Sequence, residues 1–599
     1  MKHIFQLIIV FVVITSVGCK KFLERPPLTV DNDETAWVTE DNVRLYANKF
    51  YPAFFTGYGT QYSAESGAAF MGFTFSDDVF LRGNQSNFNR AVPNSGIWGM
   101  SDVRSINIML NRIETRMKSI LDENAYNHWT GIGRFFRALE YADLVTAYGD
   151  VPYYDHVPVD TDFDDLYKPR TPRNEVMDAV YEDLKFALNN VRIADGDQQV
   201  NRYVVAAFVT RIALREGSWQ KYYYNNSERA NKFFQFAQEA GDMIINSGRY
   251  DIVTDFRSLF TANSLAGNKD VIIYRHYDAG VGVTHAVATN NNLAESIAFG
   301  PTTDLIKSFI CLDGNAWQNS TTANASDFSL SNMIKSRDSR LEATFYDKPT
   351  PKNTASYWYV NKFIPRNIPP MVEAGGTPPP EFTSQKNVTD YPVFRYAEAL
   401  LNWVEAKAEM GTATQADIDV SINKIRNRPL ATEAIAKGAA KTAPLQIASL
   451  PNDPARDPSV SALLWEIRRE RRMEFAFEYS RFHDLKRWKK LEYMDTDTRK
   501  DLLSGGWVNF TTEAASELKA SNIGQISVVS QTGAITVYNG TNGAAMRGFY
   551  RPVNTNGRQP YLNQIGVNPY LSPVGRNQMD DYKARGYVLA QTEGWPVYE

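Results

Sequence analysis

The sequence has few cysteines and histidines, and it lacks the short motifs of several common enzyme classes. Only two cysteines, Cys19 and Cys311, occur in 599 residues, so the fold does not depend on a framework of disulfides. No two of the six histidines have the short spacing that places two imidazoles on one helix face. The P-loop, G-x-G-x-x-G, H-E-x-x-H and G-x-S-x-G patterns are also missing. The sequence therefore gives no support to a nucleotide-dependent enzyme, a metalloprotease or a serine hydrolase.

Excess charge and long apolar runs are missing too. The formal net charge is only -4, with 22% charged residues, so the composition gives no sign of a nucleic-acid partner. Beyond the N-terminus no stretch approaches 18 apolar residues, and no transmembrane helix is predicted. At 43% hydrophobic and 13% aromatic residues, the chain has the composition of a globular protein with a large core.

The N-terminus has the pattern of an export signal. One positive charge, Lys2, precedes the apolar run Ile4 to Val17, which is about 21 Å long as a helix and too short for a hydrocarbon layer of about 30 Å. The four residues ending at Cys19 resemble the bacterial lipobox. We predict a lipoprotein signal peptide at 1–18, lipidation of Cys19 and a tether at 19–33; the alternative is an ordinary signal peptide in which Cys19 is incidental. Cys311 would then be alone, as a small buried hydrophobic residue.

Apolar residues recur at helical spacing in the first half of the chain. From Asn127 to Tyr148 they form one stripe that Gly149 ends. Thr171 and Pro172 predict the start of the next helix, with threonine as N-cap and proline at the first helical position. The midpoints of four such helices lie about 33 residues apart, close to the period of tetratricopeptide hairpins, about 34 residues. The four stripes are Trp129–Val145, Val176–Val191, Val205–Ile212 and Phe233–Ile244.

Helices and loops alternate in larger blocks along the rest of the chain. Residues 251–394 and 491–599 are rich in loop-forming residues with short extended runs, and one hairpin is predicted around Thr532-Gly533. We therefore predict a mainly α fold with minor β: a tetratricopeptide-like helical-hairpin scaffold at about 34–250 and 395–490, and a loop-rich ligand-binding lobe mainly at 251–394 and 491–599. The later helices are predicted at Tyr396–Met410, Ala416–Arg426 and Ala462–Tyr479.

The run Arg468 to Arg472 could be taken for a nucleic-acid patch. Glu466, Glu470 and Glu474 interleave with it at helical spacing, which favours a structural helix stabilised by salt bridges.

Other acidic residues give weaker signals. The alternating aspartates at 160, 162 and 164 begin like an EF-hand loop, but the glycine and the closing glutamate of that loop are missing. We therefore predict no metal site and no cofactor. The acid pairs Asp77-Asp78 and Asp580-Asp581 are weak candidates for the two carboxylates of a glycosidase, and surface charge is the simpler interpretation.

Several aromatic residues lie in loops rather than in helical stripes. Sugars present apolar C–H faces ringed by hydroxyls, so a sugar receptor needs open aromatic faces beside polar side chains. The loop 75–98 has that composition, and two later loops each offer one ring. Trp98 is equally compatible with the core. The candidate ligand-binding residues are Asp78, Phe80, Arg82, Asn84, Trp98, Tyr277 and Trp317.

Motifs spread along most of the chain resemble one family. They include the segments 133–139 and 144–152, Pro301 to Leu305 followed by Asp313-Gly314, Arg337 to Leu341, Arg395 to Glu398, and Arg468 to Glu474 followed by 481–485. In this order they are similar to the SusD/RagB family of outer-membrane nutrient-binding lipoproteins of Bacteroidetes.

The resemblance implies a fold and a function. It implies four tetratricopeptide-like hairpins with a loop-rich ligand lobe to which the loop 75–98 contributes. It also implies a non-enzymatic, cell-surface protein, lipid-anchored in the outer membrane. Such a protein would capture an oligosaccharide and pass it to a SusC-like TonB-dependent transporter, its partner. The alternatives are a lipid-anchored glycan hydrolase and a lid subunit for the import of peptide or another non-sugar nutrient.

Overall fold

Long helices dominate the first part of the chain and return near the middle. The computed structural model describes residues 33, 36–59, 76–83, 91–96, 98–558 and 567–597. The longer helices are α1 (Glu40–Asn48), α2 (Ser101–Arg112), α3 (Glu123–Tyr148), α4 (Arg173–Asn190), α5 (Arg202–Tyr222), α6 (Ser227–Asn246), α7 (Tyr396–Glu409), α8 (Ala462–Glu474), α9 (Ser480–Arg487) and α10 (Arg576–Ala584). Shorter helices are Tyr51–Phe54, Phe163–Leu166, Thr303–Ser308, Leu330–Ser336, Arg340–Thr344, Ile368–Glu373, Gln415–Ile418, Lys424–Arg426, Thr432–Ala436 and Phe510–Glu513.

The boundaries of α3 and α4 test two sequence predictions. Gly149 ends α3 with a φ of 78°, a conformation that glycine adopts without a steric penalty. Helix α4, however, begins at Arg173, and Thr171 does not cap it. Thr171 pairs with Val151 through backbone hydrogen bonds, and the carboxylate of Asp150 accepts the Arg173 N–H at 2.7 Å. The predicted Thr171 cap is therefore wrong, because Thr171 already pairs with another segment of backbone.

The helices pack in sequential pairs. Helix α3 packs on α4, α5 on α6, and α6 on α7, which in turn contacts α8. A close approach between α6 and α7 depends on Gly241, since a Cβ there would lie 2.5 Å from Cδ1 of Trp403. This layered packing confirms the predicted mainly α, tetratricopeptide-like fold.

Two predicted helices are interrupted. The stretch predicted from Ala462 to Tyr479 ends at Glu474, because Phe477 adopts a left-handed conformation with a φ of 61°. The chain turns there before α9 begins. The stretch predicted as Ala416–Arg426 contains a wide π turn, Asp419–Asn423, between two short α-helical pieces.

The strands are short and form small antiparallel sheets. The strands are β1 (Val79–Leu81), β2 (Val271–Arg275), β3 (Phe299–Pro301), β4 (Tyr391–Arg395), β5 (Trp507–Asn509), β6 (Ile526–Val529), β7 (Ile535–Val537) and β8 (Arg547–Pro552). Strand β1 pairs with β3 and β2 pairs with β4, while the remaining strands form a sheet of order β5-β8-β6-β7. The predicted hairpin is confirmed, with Ser527 opposite Val537.

One large hydrophobic core connects helices and loops. It includes Trp129 and Phe208 of the helices and also Trp358, Phe394 and Trp507 of the loop-rich segments. A smaller cluster lies beside the four-stranded sheet. The loops are therefore packed onto the same core as the helices. Cys311 is fully buried, as predicted, and burial raises the pKa of its thiol.

Candidate ligand-binding cavity

A cavity of about 210 Å³ lies beside helix α8. Three tryptophans, one tyrosine and several arginines contribute to its wall, together with three aspartates. This mixture of flat apolar rings and charged groups is typical of a ligand site rather than of a packing defect. We call it the Trp317 cavity, and its wall is formed by Asp304, Lys307, Ser308, Ala316, Trp317, Gln318, Asp453, Ala455, Trp465, Arg468, Arg469, Arg472, Arg481, Trp488, Tyr493, Arg499 and Asp501.

A tight polar turn holds Trp317 in place. Gly314 has a φ of 79°, and the Asp313 carboxylate accepts the backbone N–H groups of Asn315 and Thr321. Although burial opposes the shift, these two N–H groups lower the pKa of Asp313 to about 2. The Trp317 ring meets Phe328 edge-on, with centroids 5.2 Å apart. Trp317 therefore packs against Phe328 and remains half-buried at the cavity wall.

The other two indoles are fixed through their N–H groups. Trp465 donates Nε1–H to Asp453 at 2.7 Å, and Trp488 donates to Glu405 at 2.7 Å. The guanidinium of Arg468 lies 4.4 Å from the Trp488 ring centroid, which is a cation–π distance. These anchors set the orientation of the rings before any ligand arrives.

A second part of the wall is a cluster of arginines and buried aspartates. Arg481 forms a two-pronged contact with Asp77, through Nε and Nη2, at 2.7 and 2.6 Å. Arg472 donates to Asp78 at 2.6 Å and lies 2.8 Å from Asp304. Burial opposes ionisation of Asp77, yet Arg472 and Arg481 lower its pKa. For Asp78, burial is the stronger influence and raises the pKa.

Helix α8 brings most of these arginines to the wall, and its opposite side is buried in an ion-pair cluster. Glu474 contacts Arg340, Arg395 and Arg428, which come from other segments of the chain. The predicted structural role of this charged helix is confirmed. The partners differ from the prediction, because Arg469–Glu466, at 3.3 Å, is the one ion pair within α8 among the described residues.

Three predicted ligand residues lie in the interior. The Asp78 side chain is 4% exposed and pairs with Arg472. Phe80 belongs to β1, is 1% exposed, and lies under the Arg558 guanidinium at 4.8 Å. Tyr277 is 3% exposed, and its hydroxyl donates to the backbone oxygen of Tyr58 at 3.1 Å. The prediction that they contact a ligand is not supported, because all three side chains are buried.

The remaining predicted residues are divided among several places. Trp317 lines the cavity described above, and Arg82 is exposed at the end of β1. Trp98 is buried, meets Tyr148 edge-on at 5.3 Å, and lines a separate cavity of about 330 Å³. Asn84 and Cys19 lie outside the described residues. The sequence candidates are therefore not brought together into one site.

The sequence prediction missed most of the Trp317 cavity. Trp465 and Arg469 lie four positions apart on α8, a spacing that places two side chains on one helix face. A tryptophan beside an arginine run was a usable signal. The contributions of Tyr493 and Arg499 had no such signal, because tertiary packing alone brings them to this wall.

Neither a metal site nor a membrane-spanning helix is found among the described residues. Within the described ranges, no group of three or more histidine, cysteine or acidic side chains is placed to hold a metal ion. Asp162 of the acidic loop instead caps a short helix by accepting the Asp165 N–H. Among the same residues, no helix is both long enough and apolar enough to cross a membrane.

Comparison with known proteins gives consistent matches. SusD-like protein P2 of Formosa agariphila is 25% identical over 383 residues, which are 61% of this chain and 66%, just under two thirds, of that relative. Two solved structures have a similar fold. One, described as a SusD-like carbohydrate binding protein from Bacteroides fragilis, has a TM-score of 0.61 and 18% identity, covering 91% of this chain and 99% of its own. The other is surface glycan-binding protein A from Bacteroides fluxus, with a TM-score of 0.54 and 16% identity, covering 93% and 100%.

A family model extends these matches. The model of the SusD family matches residues 269–595, which are more than half of the chain and include the segments that form most of the Trp317 cavity. The chain belongs to the SusD family.

Proposed function

We propose that this protein captures an oligosaccharide at the cell surface and passes it to a SusC-like TonB-dependent transporter in the outer membrane. Membership of the SusD family supports carbohydrate binding, and a solved relative of the same fold is described as carbohydrate binding. The protein itself performs no chemistry in this proposal. The energy for import comes from the transporter.

The observation that carries the proposal is the presence of anchored indoles and anchored ion pairs in one cavity. Trp317 and Trp465 are both half-buried at the wall, so each ring can meet the C–H face of a pyranose. The neighbouring arginines and aspartates hold one another in place and need no rearrangement before binding. Hydrogen bonds from such fixed groups distinguish epimers, because the wrong hydroxyl leaves a polar group unpaired.

Lipid attachment through Cys19 is part of the proposal. The apolar run before Cys19 and the small residue at 18 support it. One acyl chain gives only marginal membrane binding, so a cysteine with two or three chains is expected. Expression of the full chain with a labelled fatty acid is expected to label the wild type and not the Cys19→Ala variant. Equal labelling of both would contradict the anchor.

The main experiment uses residues 20–599 and a panel of polysaccharides. Retardation in glycan-containing native gels measures binding, while new reducing ends in parallel samples measure hydrolysis. We expect retardation by at least one glycan without new reducing ends. Trp317→Ala is expected to abolish the retardation, whereas Phe163→Ala, which removes a ring that is 47% exposed elsewhere, is expected to leave it unchanged.

Other outcomes identify the alternatives. New reducing ends that disappear when a cavity aspartate is substituted would establish a hydrolase. Association with a co-expressed transporter but no retardation by any glycan would establish a lid subunit for non-sugar cargo.

A further inference from the structure

The carboxylates of the Trp317 cavity are largely occupied by neighbouring donors. Asp304 accepts from Arg499 at 2.6 Å through one oxygen and lies 2.8 Å from Arg472 through the other. Asp453 accepts from the Trp465 indole and from Arg469, and its other oxygen accepts the backbone N–H of Ala455. Asp501 accepts from Lys307 at 2.8 Å through one oxygen. Neighbouring donors therefore already contact all three carboxylates of the wall.

Hydrogen-bond donors remain available on the same wall. The Nε of Arg468 is buried and has no hydrogen-bond partner. Arg469 donates a hydrogen bond from Nη2 to Asp453. Its Nε and Nη1 form no hydrogen bond with the described residues. The indole N–H of Trp317 likewise has no partner among the described residues. Consecutive positions on α8 therefore present unpaired N–H groups beside an open aromatic ring.

The position of Arg468 distinguishes it from other arginines with an unpaired Nε. Arg428 also has a buried Nε without a partner, but it belongs to the ion-pair cluster around Glu474 and is not part of the cavity wall. Arg468, in contrast, is one of the residues that line the Trp317 cavity.

Arg469 contacts two carboxylates, and only one of them accepts a hydrogen bond. Asp453 accepts from Nη2. Glu466 lies 3.3 Å away, but neither of its oxygens accepts a hydrogen bond. The remaining N–H groups of Arg469 are therefore not taken up by Glu466.

An acceptor-only group fits a wall of this kind better than a hydroxyl. A hydroxyl both donates and accepts, and the carboxylates of this wall already have donors beside them, whereas a carboxylate or sulfate only accepts. We propose that the Trp317 cavity binds an acidic sugar whose carboxylate or sulfate group is held by Arg468 and Arg469 while its ring stacks on Trp317. This rests on the proposed glycan-binding function and specifies its substrate class.

Matched pairs of oligosaccharides test the proposal. One pair is an oligogalacturonate and the same oligomer after carboxyl reduction, and the other is a sulfated galactan oligomer and its desulfated form. Calorimetric titration is expected to show that one acidic member binds at least about tenfold more tightly than its neutral partner, a difference within reach of one charge-assisted contact. That preference is expected to shrink as salt rises, because screening weakens charge attraction.

Variants locate the preference. Arg469→Gln is expected to lower the affinity for the acidic member about tenfold and to leave the neutral member unchanged. Arg469→Lys, which keeps the charge, is expected to retain part of the preference. Arg585→Gln is the matched control, because Arg585 is outside the cavity wall and its side chain is 47% exposed. Thermal melting of each variant verifies that it folds.

The outcomes separate this proposal from the function on which it rests. Equal affinity for both members of each pair, with loss of both in Trp317→Ala, would overturn the acidic-sugar proposal and keep the glycan receptor. Binding of an acidic peptide with no binding of any oligosaccharide would overturn both. A salt-independent preference in the wild type would also contradict the role of charge, even if the arginine variants failed to fold.

Discussion

Helix α8 has two charged faces with opposite properties. On the core face, Glu470 and Glu474 are fully buried and meet arginines from several other segments. On the cavity face, Arg468 and Arg469 keep N–H groups without partners among the described residues. Both sides contain N–H groups without partners, since Arg428 Nε in the core-face cluster also has none, but of these arginines only Arg468 and Arg469 line a cavity.

The difference shows what ion pairing does in each place. Removing charges from water is costly, and a buried cluster is tolerated only when each charge has well-placed partners. Around Glu474 this condition ties α8 to β4 and to the segments that contain Arg340 and Arg428. Arg468 and Arg469 differ in that they line the Trp317 cavity, where we propose that a ligand supplies the missing partner.

The largest expected change in the free energy of unfolding comes from a substitution on the core face of α8. Glu474→Gln removes the negative charge shared by Arg340, Arg395 and Arg428, leaving buried positive charge with less compensation. We expect the free energy of unfolding to fall by about 3–5 kcal/mol, measured by urea denaturation. Glu433→Gln, an exposed glutamate on a short helix, is the control. A loss below about 1 kcal/mol would mean that the cluster contributes little.

The fall in the free energy of unfolding at acidic pH tests the ion-pair cluster around Glu474 without removing a side chain. Burial alone would raise the pKa of Glu474, but Arg428, Arg395 and Arg340 outweigh it and lower the pKa to about 2 from 4.5. As pH falls, the unfolded chain binds the proton first, so this contribution is complete above pH 4.5 and is lost as pH approaches 2. We expect a loss of about 3 kcal/mol.

Subtracting the Glu474→Gln curve from the wild-type curve isolates this contribution, because other titrating carboxylates are common to both proteins. Parallel curves between pH 4.5 and pH 2, the range set by the two pKa values, would contradict the assignment.

The cavity face is expected to matter less for stability. Arg469→Gln leaves Asp453 with the Trp465 indole and the Ala455 N–H as partners. We expect the free energy of unfolding to fall by about 2 kcal/mol, the usual scale for a hydrogen bond to a charged group, because the two remaining donors still compensate the Asp453 carboxylate. Urea denaturation beside Glu474→Gln measures the contrast. An equal loss in both variants would show that the two faces are energetically alike.

The sequence predicts the repeated elements of this fold well and the site poorly. The stripe from Trp129 to Val145 and the glycine at 149 predict α3 correctly, because both signals are local. The interleaved glutamates of α8 predict a structural helix, but its partners Arg340 and Arg395 are distant in the sequence. Tyr277 lies in a polar loop, which predicts a surface ring, yet that loop folds back onto Tyr58 and buries it.

The smallest expected effect belongs to an ion pair outside both faces of α8. Arg585 and Asp581 lie 3.6 Å apart, with side chains 47% and 48% exposed. Water already solvates both charges, and holding two long side chains together costs entropy, so Arg585→Gln is expected to change the free energy of unfolding by roughly 0.5 kcal/mol or less. Urea denaturation at low and high salt measures it. A loss as large as that of Glu474→Gln would mean that the number of ion pairs, rather than their burial, determines the stability of this protein, and the contrast between the two faces of α8 would lose its explanation.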